Sequence, residues 1–229
     1  LNSGTLRVSP QGDVTVQAGS FTNNGTIGAA NIDVTGGTFT GTGTLNYNVD
    51  GASSDLIDFD SGTLDISALT LDFNPVGDGF TAEQYVLVDY TGAGPGNLTL
   101  ASNAATDNTF GGVADMPVGY EFFHDETGDQ ILLNLLQRVW ADPNSGSWDT
   151  AGNWTPSGAP GIEAVKITPD GTYTVDGPGS ATEVLALTVG GASGEATLAL
   201  GTGALTVTNE TVVTSAGRVE DGTLDTNSL

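Results

Sequence analysis

The sequence predicts an all-β protein, made of β-solenoid (β-helix-like) stacks with an antiparallel β cap or insertion in the middle. Composition gives the first indication, because 34 of the 229 residues are glycine and Thr, Val, Asn and Asp are also abundant. Thr and Val favour strands, whereas Gly, Asn and Asp favour tight turns. The other two indications are short runs of period-two alternation and a glycine motif that recurs about every 20 residues.

The first predicted domain, residues 1–78, carries the clearest repeat. Its alternating runs, such as residues 13–17 and 44–47, are typical of strands with one buried face. A Gly-Thr pair followed by Leu or Ile recurs at nearly regular intervals, starting at Gly4, Gly25, Gly43 and Gly62. One such repeat cannot bury its own apolar face, so the sequence predicts that each repeat stacks on the next.

The second predicted domain, residues 79–138, departs from the repeat. A strong strand pattern at residues 84–90 is followed by an aromatic-rich run at 116–124 and by the most apolar run of the chain at 130–136. The five residues between the last two runs have the composition of a hairpin turn. We therefore expect an antiparallel cap or insertion that closes the first stack.

The third predicted domain, residues 139–229, opens with a tryptophan-rich stretch and then returns to the repeat. Gly203 and Gly222 are 19 residues apart, within the range of 18 to 21 between the earlier glycines, and each is followed two residues later by leucine. The last twelve residues resemble the first eight in composition and in alternation of polar and apolar residues, with no obvious polar cap at either end. The pattern predicts that the chain either continues in a larger protein or stacks end to end with copies of itself.

The order of these features resembles that of autotransporter-like β-strand-repeat surface proteins of bacteria, a family of large secreted β-solenoid or adhesin-like proteins. The resemblance is carried by the repeats, then residues 85–92, 116–120 and 130–133, and then the Trp-Asp … Asn-Trp stretch at 148–154. It implies a long secreted or surface-anchored protein, fibrous or adhesin-like, with no enzymatic centre.

The formal net charge of −24 excludes some partners. Nucleic acids and anionic membrane surfaces are recognised by clustered Lys and Arg, and this chain has 4 basic residues against 28 acidic ones. The absence of cysteine excludes disulfides and thiolate metal sites. No run approaches the ~18 apolar residues of a membrane span, so no membrane insertion is expected.

The sequence offers little for catalysis. His124 is the only histidine, and next to Asp125 and Glu126 it is either a general base or metal ligand or, as we favour, a turn residue. An anionic polysaccharide would be repelled by the net charge. Paired carboxylates that hydrolyse a neutral glycan are a further hypothesis, since 28 acids make chance pairs frequent. The favoured expectation is that the protein is not an enzyme.

Calcium is the candidate ion, although no cofactor is required by the fold. Four carboxylates lie within eleven residues, at Asp50, Asp55, Asp58 and Asp60. Oxygen ligands of this kind suit Ca²⁺, and loop carbonyls could complete the shell. Asp125, Glu126 and Asp129 form a similar but weaker group. The alternative, which we favour, is that these residues cap turns and face solvent.

The three tryptophans, Trp140, Trp148 and Trp154, admit two interpretations. Exposed indole rings could stack on sugars and would make the chain a glycan-binding module. Alternatively, the rings pack together as the core that starts the third domain, which we favour because tryptophan is costly to leave exposed.

The leading functional hypothesis is a non-catalytic, extracellular structural protein of the bacterial cell surface. It would be a subunit or repeat of a filament that assembles head to tail with itself through β-stacking. The second hypothesis is an adhesin module that binds cell-surface glycans, and the third is a polysaccharide-active β-helix enzyme.

Overall fold

The structure is a computed structural model that describes residues 5–7, 14–28 and 31–226. These residues are all-β, which confirms the predicted class: they form 26 strands and three 3-10 turns, at Pro95–Asn97, Ala104–Thr106 and Ala151–Asn153, and no α-helix. The chain divides into two compact units, Leu1–Leu135 and Leu136–Leu229. The domain boundaries expected near residues 78 and 138 stay predictions.

The first unit contains strands β1 to β14. Their bounds are β1 Thr5–Arg7, β2 Val14–Val16, β3 Ser20–Asn23, β4 Thr26–Gly28, β5 Ile32–Gly41, β6 Thr44–Gly51, β7 Ser53–Ser54, β8 Ile57–Asp65, β9 Thr70–Phe80, β10 Gln84–Asp89, β11 Leu98–Thr99, β12 Gly112–Ala114, β13 Tyr120–Asp125 and β14 Gln130–Leu135.

These strands form two sheets. The first has the order β1-β4-β6-β9-β12, with every neighbouring pair parallel, and β7 pairs antiparallel with β6. The second has the order β13-β14-β10-β8-β5-β2, with β3 beside β5 and β11 beside β8. Among β1 to β6 the parallel partners lie about one repeat apart in sequence, as Val14 does from Ile32 and Thr26 from Thr44. Side chains alternate between the two faces of each strand, which accounts for the runs of period two.

Three of the four copies of the glycine motif lie next to one another in the first sheet. The threonines that follow Gly4, Gly25 and Gly43 lie side by side in β1, β4 and β6. The fourth does not continue this row: Thr63, after Gly62, pairs with Thr38 in the second sheet, and Thr70 lies beside Thr44 instead. The reason is the β6–β7 hairpin, which lengthens this repeat and shifts the next strand of the first sheet to β9.

The predicted hairpin of the middle region is present. β13 and β14 pair antiparallel from Tyr120–Leu135 to Asp125–Gln130, and the Asp125 carboxylate accepts hydrogen bonds from the backbone N–H groups of Thr127 and Gly128 in the turn. β14 pairs antiparallel with β10, and β10 in turn pairs parallel with β8. The antiparallel strands therefore extend the second sheet of this unit.

The second unit contains strands β15 to β26. Their bounds are β15 Gln137–Trp140, β16 Gly146–Ser147, β17 Trp154–Thr155, β18 Ala164–Ile167, β19 Gly171–Asp176, β20 Thr182–Val184, β21 Ala186–Val189, β22 Gly194–Ala199, β23 Ala204–Val207, β24 Thr211–Val213, β25 Gly217–Glu220 and β26 Thr223–Thr226.

Three sheets make up this unit, in the orders β17-β15-β18-β21-β24, β16-β19-β22-β25 and β20-β23-β26. Apart from the short β17, every pairing is parallel. Partners are separated by nearly one repeat length, as Ala164 is from Ala186 and Ala204 is from Thr223. The Leu205 and Leu224 motifs predicted to repeat are thus direct neighbours.

Close approach of neighbouring strands explains one of the glycine positions. Gly194 has φ +84° and lies beside Gly171 of the adjacent strand. A Cβ atom at Gly194 would lie 2.2 Å from the Gly171 carbonyl oxygen, so only glycine fits there.

The core of the second unit contains a buried tyrosine hydroxyl without a hydrogen-bond partner. The Tyr173 side chain is 3% exposed, and among the described residues its hydroxyl makes no hydrogen bond. Burial, with a smaller contribution from the Asp170 charge, raises the pKa of Tyr173 to about 12. A buried, unsatisfied hydroxyl costs free energy that phenylalanine would avoid.

We therefore expect Tyr173→Phe to raise the free energy of unfolding of this unit by about 1 kcal/mol. The measurement is urea or thermal unfolding, and Tyr120→Phe is the matched control. The Tyr120 hydroxyl donates to the Ala82 carbonyl at 2.7 Å, so its removal should destabilise the first unit by a similar amount. Equal destabilisation by both substitutions would show that the Tyr173 hydroxyl is satisfied.

Candidate functional site

A row of three carboxylates crosses the second sheet of the first unit. Asp33 in β5, Asp58 in β8 and Asp89 in β10 are lateral partners. Neighbouring strands lie about 4.8 Å apart, so the row places like charges at close range. Asp60 lies two residues beyond Asp58 and therefore on the same face. We call Asp33, Asp58 and Asp89 the acid row.

The acid row changes the titration of its central member. Desolvation and then the charges of Asp60, Asp89 and Asp33 raise the pKa of Asp58. Asp89 behaves differently: burial alone would raise its pKa, but hydrogen bonds from Thr91 and Gln130 lower it overall. The fold therefore disfavours the ionised form of Asp58 and favours that of Asp89.

A polar groove lies where the β6–β7 hairpin leaves the first sheet. Its volume is about 370 Å³, and its walls combine two carboxylates, two amides, two hydroxyls and one aliphatic side chain. The lining residues are Asp50, Asp55, Asn31, Asn48, Ser53, Ser54 and Val76.

Strand pairing positions these groups. Asp50 lies directly between Ser53 of β7 and Val76 of β9. Asp55 Oδ2 accepts hydrogen bonds from the Asn48 backbone N–H at 2.9 Å and from Asn48 Nδ2 at 3.1 Å. Burial raises the pKa of Asp55, although these hydrogen bonds oppose the shift. Both bonds go to Oδ2.

The four aspartates considered for calcium are distributed over two places. Asp50 and Asp55 line the groove, whereas Asp58 and Asp60 lie exposed on one face of β8. Their closeness in sequence does not bring them together, because the chain reverses at β7 and β8 then joins the other sheet. Across residues 5–7, 14–28 and 31–226, no group of three or more acidic or histidine side chains could hold a metal ion.

His124 and the neighbouring acids belong to the β13–β14 hairpin. The His124 ring nitrogen Nε2 lies 2.8 Å from the Tyr90 hydroxyl, and its backbone N–H donates to Asp107 at 2.9 Å. Asp125 caps the turn through its side chain, and Asp129 adopts a φ of 53° in it. The structure places His124 within strand β13, half-buried and paired with Ile131, and not in the turn that the sequence favoured.

The three tryptophans form the core at the start of the second unit. Trp140, Trp148 and Trp154 are 2%, 1% and 2% exposed, and Trp154 contacts both of the others edge to face, at centroid distances of 4.9 and 5.1 Å. The indole N–H of Trp154 donates to the Trp148 carbonyl at 2.7 Å. Rings buried to this degree have no face for a sugar, so glycan stacking on them does not fit the structure.

Two of the basic side chains serve as structural partners of acids. Arg138 binds Glu163 at 3.1 Å and also donates to the carbonyl of Pro156 at 2.7 Å, which holds the 156–163 loop against β15. Arg218 pairs with Glu220 on β25 at 2.6 Å. Neither arginine is therefore available to bind an anionic substrate without losing its partner.

Comparison with known proteins identifies no relative: no family model, curated protein or solved structure matches the chain. The autotransporter-like resemblance stays a prediction. Within the described ranges, no helix is long and apolar enough to cross a membrane.

The acid row yields a prediction about pH. A raised pKa means that the ionised Asp58 disfavours folding, so its cost is present at neutral pH and disappears as pH falls below the ordinary Asp value. We expect Asp58→Asn to raise Tm by about 1–3 °C at pH 7, as is typical of a surface substitution worth a few tenths of a kcal/mol. The gain should vanish at pH 3 and shrink in high salt.

Asp89→Asn is the control and should change Tm in the opposite direction, because hydrogen bonds hold the pKa of Asp89 below its usual value. This substitution should lower Tm at pH 7. Scanning calorimetry of both variants at pH 3 and pH 7 checks the prediction, and a decrease in Tm for Asp58→Asn at pH 7 contradicts it.

Proposed function

We propose that this chain is a non-catalytic structural protein of the bacterial cell surface, a subunit or repeat of an extracellular filament. In this proposal its strands form β-solenoid coils, and the coils stack head to tail from one copy or repeat to the next. The role of the chain is mechanical, because stacked parallel strands stiffen the filament.

The parallel pairing in the second unit is the observation that carries the proposal. Three sheets run beside one another, and over β18 to β26 each gains one parallel strand with every repeat of the sequence. One strand from each sheet makes one coil: β18–β20, β21–β23 and β24–β26. The fold sets no limit on the number of coils in such a stack, because each coil hydrogen-bonds to the next and covers its apolar side chains in the same way.

Two properties of the sequence support a surface location. The net charge of −24 keeps neighbouring filaments apart and soluble. Because the chain has no cysteine, its stability does not depend on whether the compartment is oxidising or reducing. The resemblance to autotransporter-like repeat proteins points to the bacterial exterior.

The test is electron microscopy of the purified chain with and without a calcium chelator. We expect unbranched filaments whose layer lines include a spacing of about 4.8 Å, the distance between stacked strands. The filaments should persist in chelator, because the four candidate aspartates do not converge on one ion. Monodisperse short particles at all protein concentrations would contradict the filament proposal, and loss of filaments in chelator would assign calcium a structural role.

The groove of the first unit favours a second candidate function, a glycan-binding module. Carboxylates, amides and hydroxyls beside one aliphatic side chain suit sugar hydroxyls and a C–H face, and about 370 Å³ lies within the range of small-ligand sites. Asp50 and Asp55 would repel an anionic sugar, so the ligand of this proposal is neutral.

Saturation-transfer NMR with glucose, galactose, mannose and N-acetylglucosamine tests this candidate. Ser53→Ala removes one groove hydroxyl and should weaken binding of whichever sugar shows transfer by about fivefold, the value of one hydrogen bond. Ser61→Ala, an exposed position on β8 outside the groove, is the control and should have no effect. Absence of transfer from all four sugars, or equal affinities of both variants, contradicts the glycan function.

A further inference from the structure

Four short sequences of the chain match the acceptor motif for N-linked glycosylation, an asparagine followed two residues later by threonine. Their asparagines are Asn24, Asn97, Asn153 and Asn209. A transferase that recognises this motif in a folded protein needs access both to the amide nitrogen and to the threonine hydroxyl. The four sequences differ in what surrounds these two groups.

Asn97 presents both groups to solvent. It is the last residue of the Pro95–Asn97 turn, and Asn97 and Thr99 are both exposed. Among the described residues, neither side chain has a hydrogen-bond partner. A Cβ atom added to Gly94 or Gly96 would meet no described part of the chain within 4 Å, so there is open space beside Asn97.

Asn153 lies in a sequence that the fold holds in place. Its Nδ2 donates to the Ser147 carbonyl at 2.9 Å, and the next residue, Trp154, is buried. The nitrogen that would accept a sugar is therefore already hydrogen-bonded. The middle residue of the motif cannot leave the core without exposing a large apolar area.

Asn24 is exposed, but its turn is hydrogen-bonded to the neighbouring repeat. Asn24 Oδ1 accepts a hydrogen bond from the Thr42 backbone N–H at 3.4 Å, and the Gly25 carbonyl accepts one from Thr44 at 2.8 Å. A transferase could draw this sequence into its active site only by breaking the pairing between the repeats.

Asn209 is also exposed, but the threonine of its motif is not accessible. Thr211 is the lateral partner of the inward Leu187, and its hydroxyl oxygen is buried. The motif at Asn209 therefore presents its amide to solvent without the hydroxyl that recognition requires.

We propose that Asn97 is a glycosylation site, and that the folded chain accepts a sugar there and at none of the other three asparagines. The proposal rests on the exposure of these groups and does not depend on the filament function. The donor is a sugar carried on a nucleotide diphosphate. A bond forms between Asn97 Nδ2 and the anomeric carbon, the bond from that carbon to the diphosphate oxygen breaks, and one amide proton passes to a base of the transferase.

The position of Asn97 gives the sugar a physical role. Asn97 directly precedes β11, which pairs with β8 and, in the described part of the chain, with no other strand. An uncovered strand edge is a template for pairing with another chain, and a bulky hydrophilic group beside it hinders that pairing. A sugar on Asn97 would therefore protect this edge.

Peptide mapping by mass spectrometry, on the protein isolated from the cells that produce it, tests the site directly. We expect the added mass of a sugar on the peptide that contains Asn97, and unmodified peptides for the other three asparagines. An unmodified Asn97 in this material overturns the proposal, as does a sugar on any of the other three asparagines in its place.

The purified folded chain, incubated with a soluble N-glycosyltransferase and UDP-glucose, tests whether the fold makes this selection. We expect one hexose per chain, attached to Asn97. Asn97→Gln and Thr99→Ala should each abolish the transfer, because the first removes the acceptor and the second removes the hydroxyl that the motif requires. Asn209→Gln, at an exposed asparagine of the same motif, is the matched control and should accept hexose like the unchanged chain.

Circular dichroism checks that the variants fold, and a synthetic peptide of residues 94–102 checks that the transferase accepts the isolated motif. Transfer to this peptide but not to the folded chain overturns the proposal, because it would show that the loop is inaccessible. Transfer to the folded chain at Asn209 contradicts it as well. Neither result bears on the filament function.

Discussion

The in-register pairing of parallel strands from successive repeats is the constraint on which the rest of this structure depends. A strand of three or four residues buries little apolar surface by itself, and a single repeat has no core of its own. Once Ile167 lies beside Val189, or Leu205 beside Leu224, each inward side chain covers the next and the backbone groups are satisfied in the same step. The same pairing fixes the outward positions, which explains why the acid row of Asp33, Asp58 and Asp89 forms despite the mutual repulsion of its members.

Sequence reasoning succeeded where local chemistry and lateral pairing agree. Alternating runs predicted strands, and the recurrence of the motif at Gly203 and Gly222 predicted neighbours, because no insertion lies between them. It failed at Gly62, where the motif is intact but the β7 hairpin has changed which strand lies next to Thr44. An insertion of this kind alters register without altering the motif, so spacing alone could not reveal it.

The candidate sites show the same limit. Asp50, Asp55, Asp58 and Asp60 are close in sequence, but a chain reversal and a change of sheet separate them into a groove and an exposed face. The acid row has the opposite character, since its members are more than a full repeat apart in sequence and only strand register brings them together. The tryptophans were easier to interpret, because three large rings in one short stretch have a strong tendency to pack against one another.

The same pairing bears on the filament that we propose. In that filament the free energy of assembly would be of the same kind as that of folding, because each added coil would repeat the parallel pairing found inside the chain. Acidic outward faces would oppose association from the side, so the 28 acidic residues of the chain would favour growth by stacking over lateral clumping.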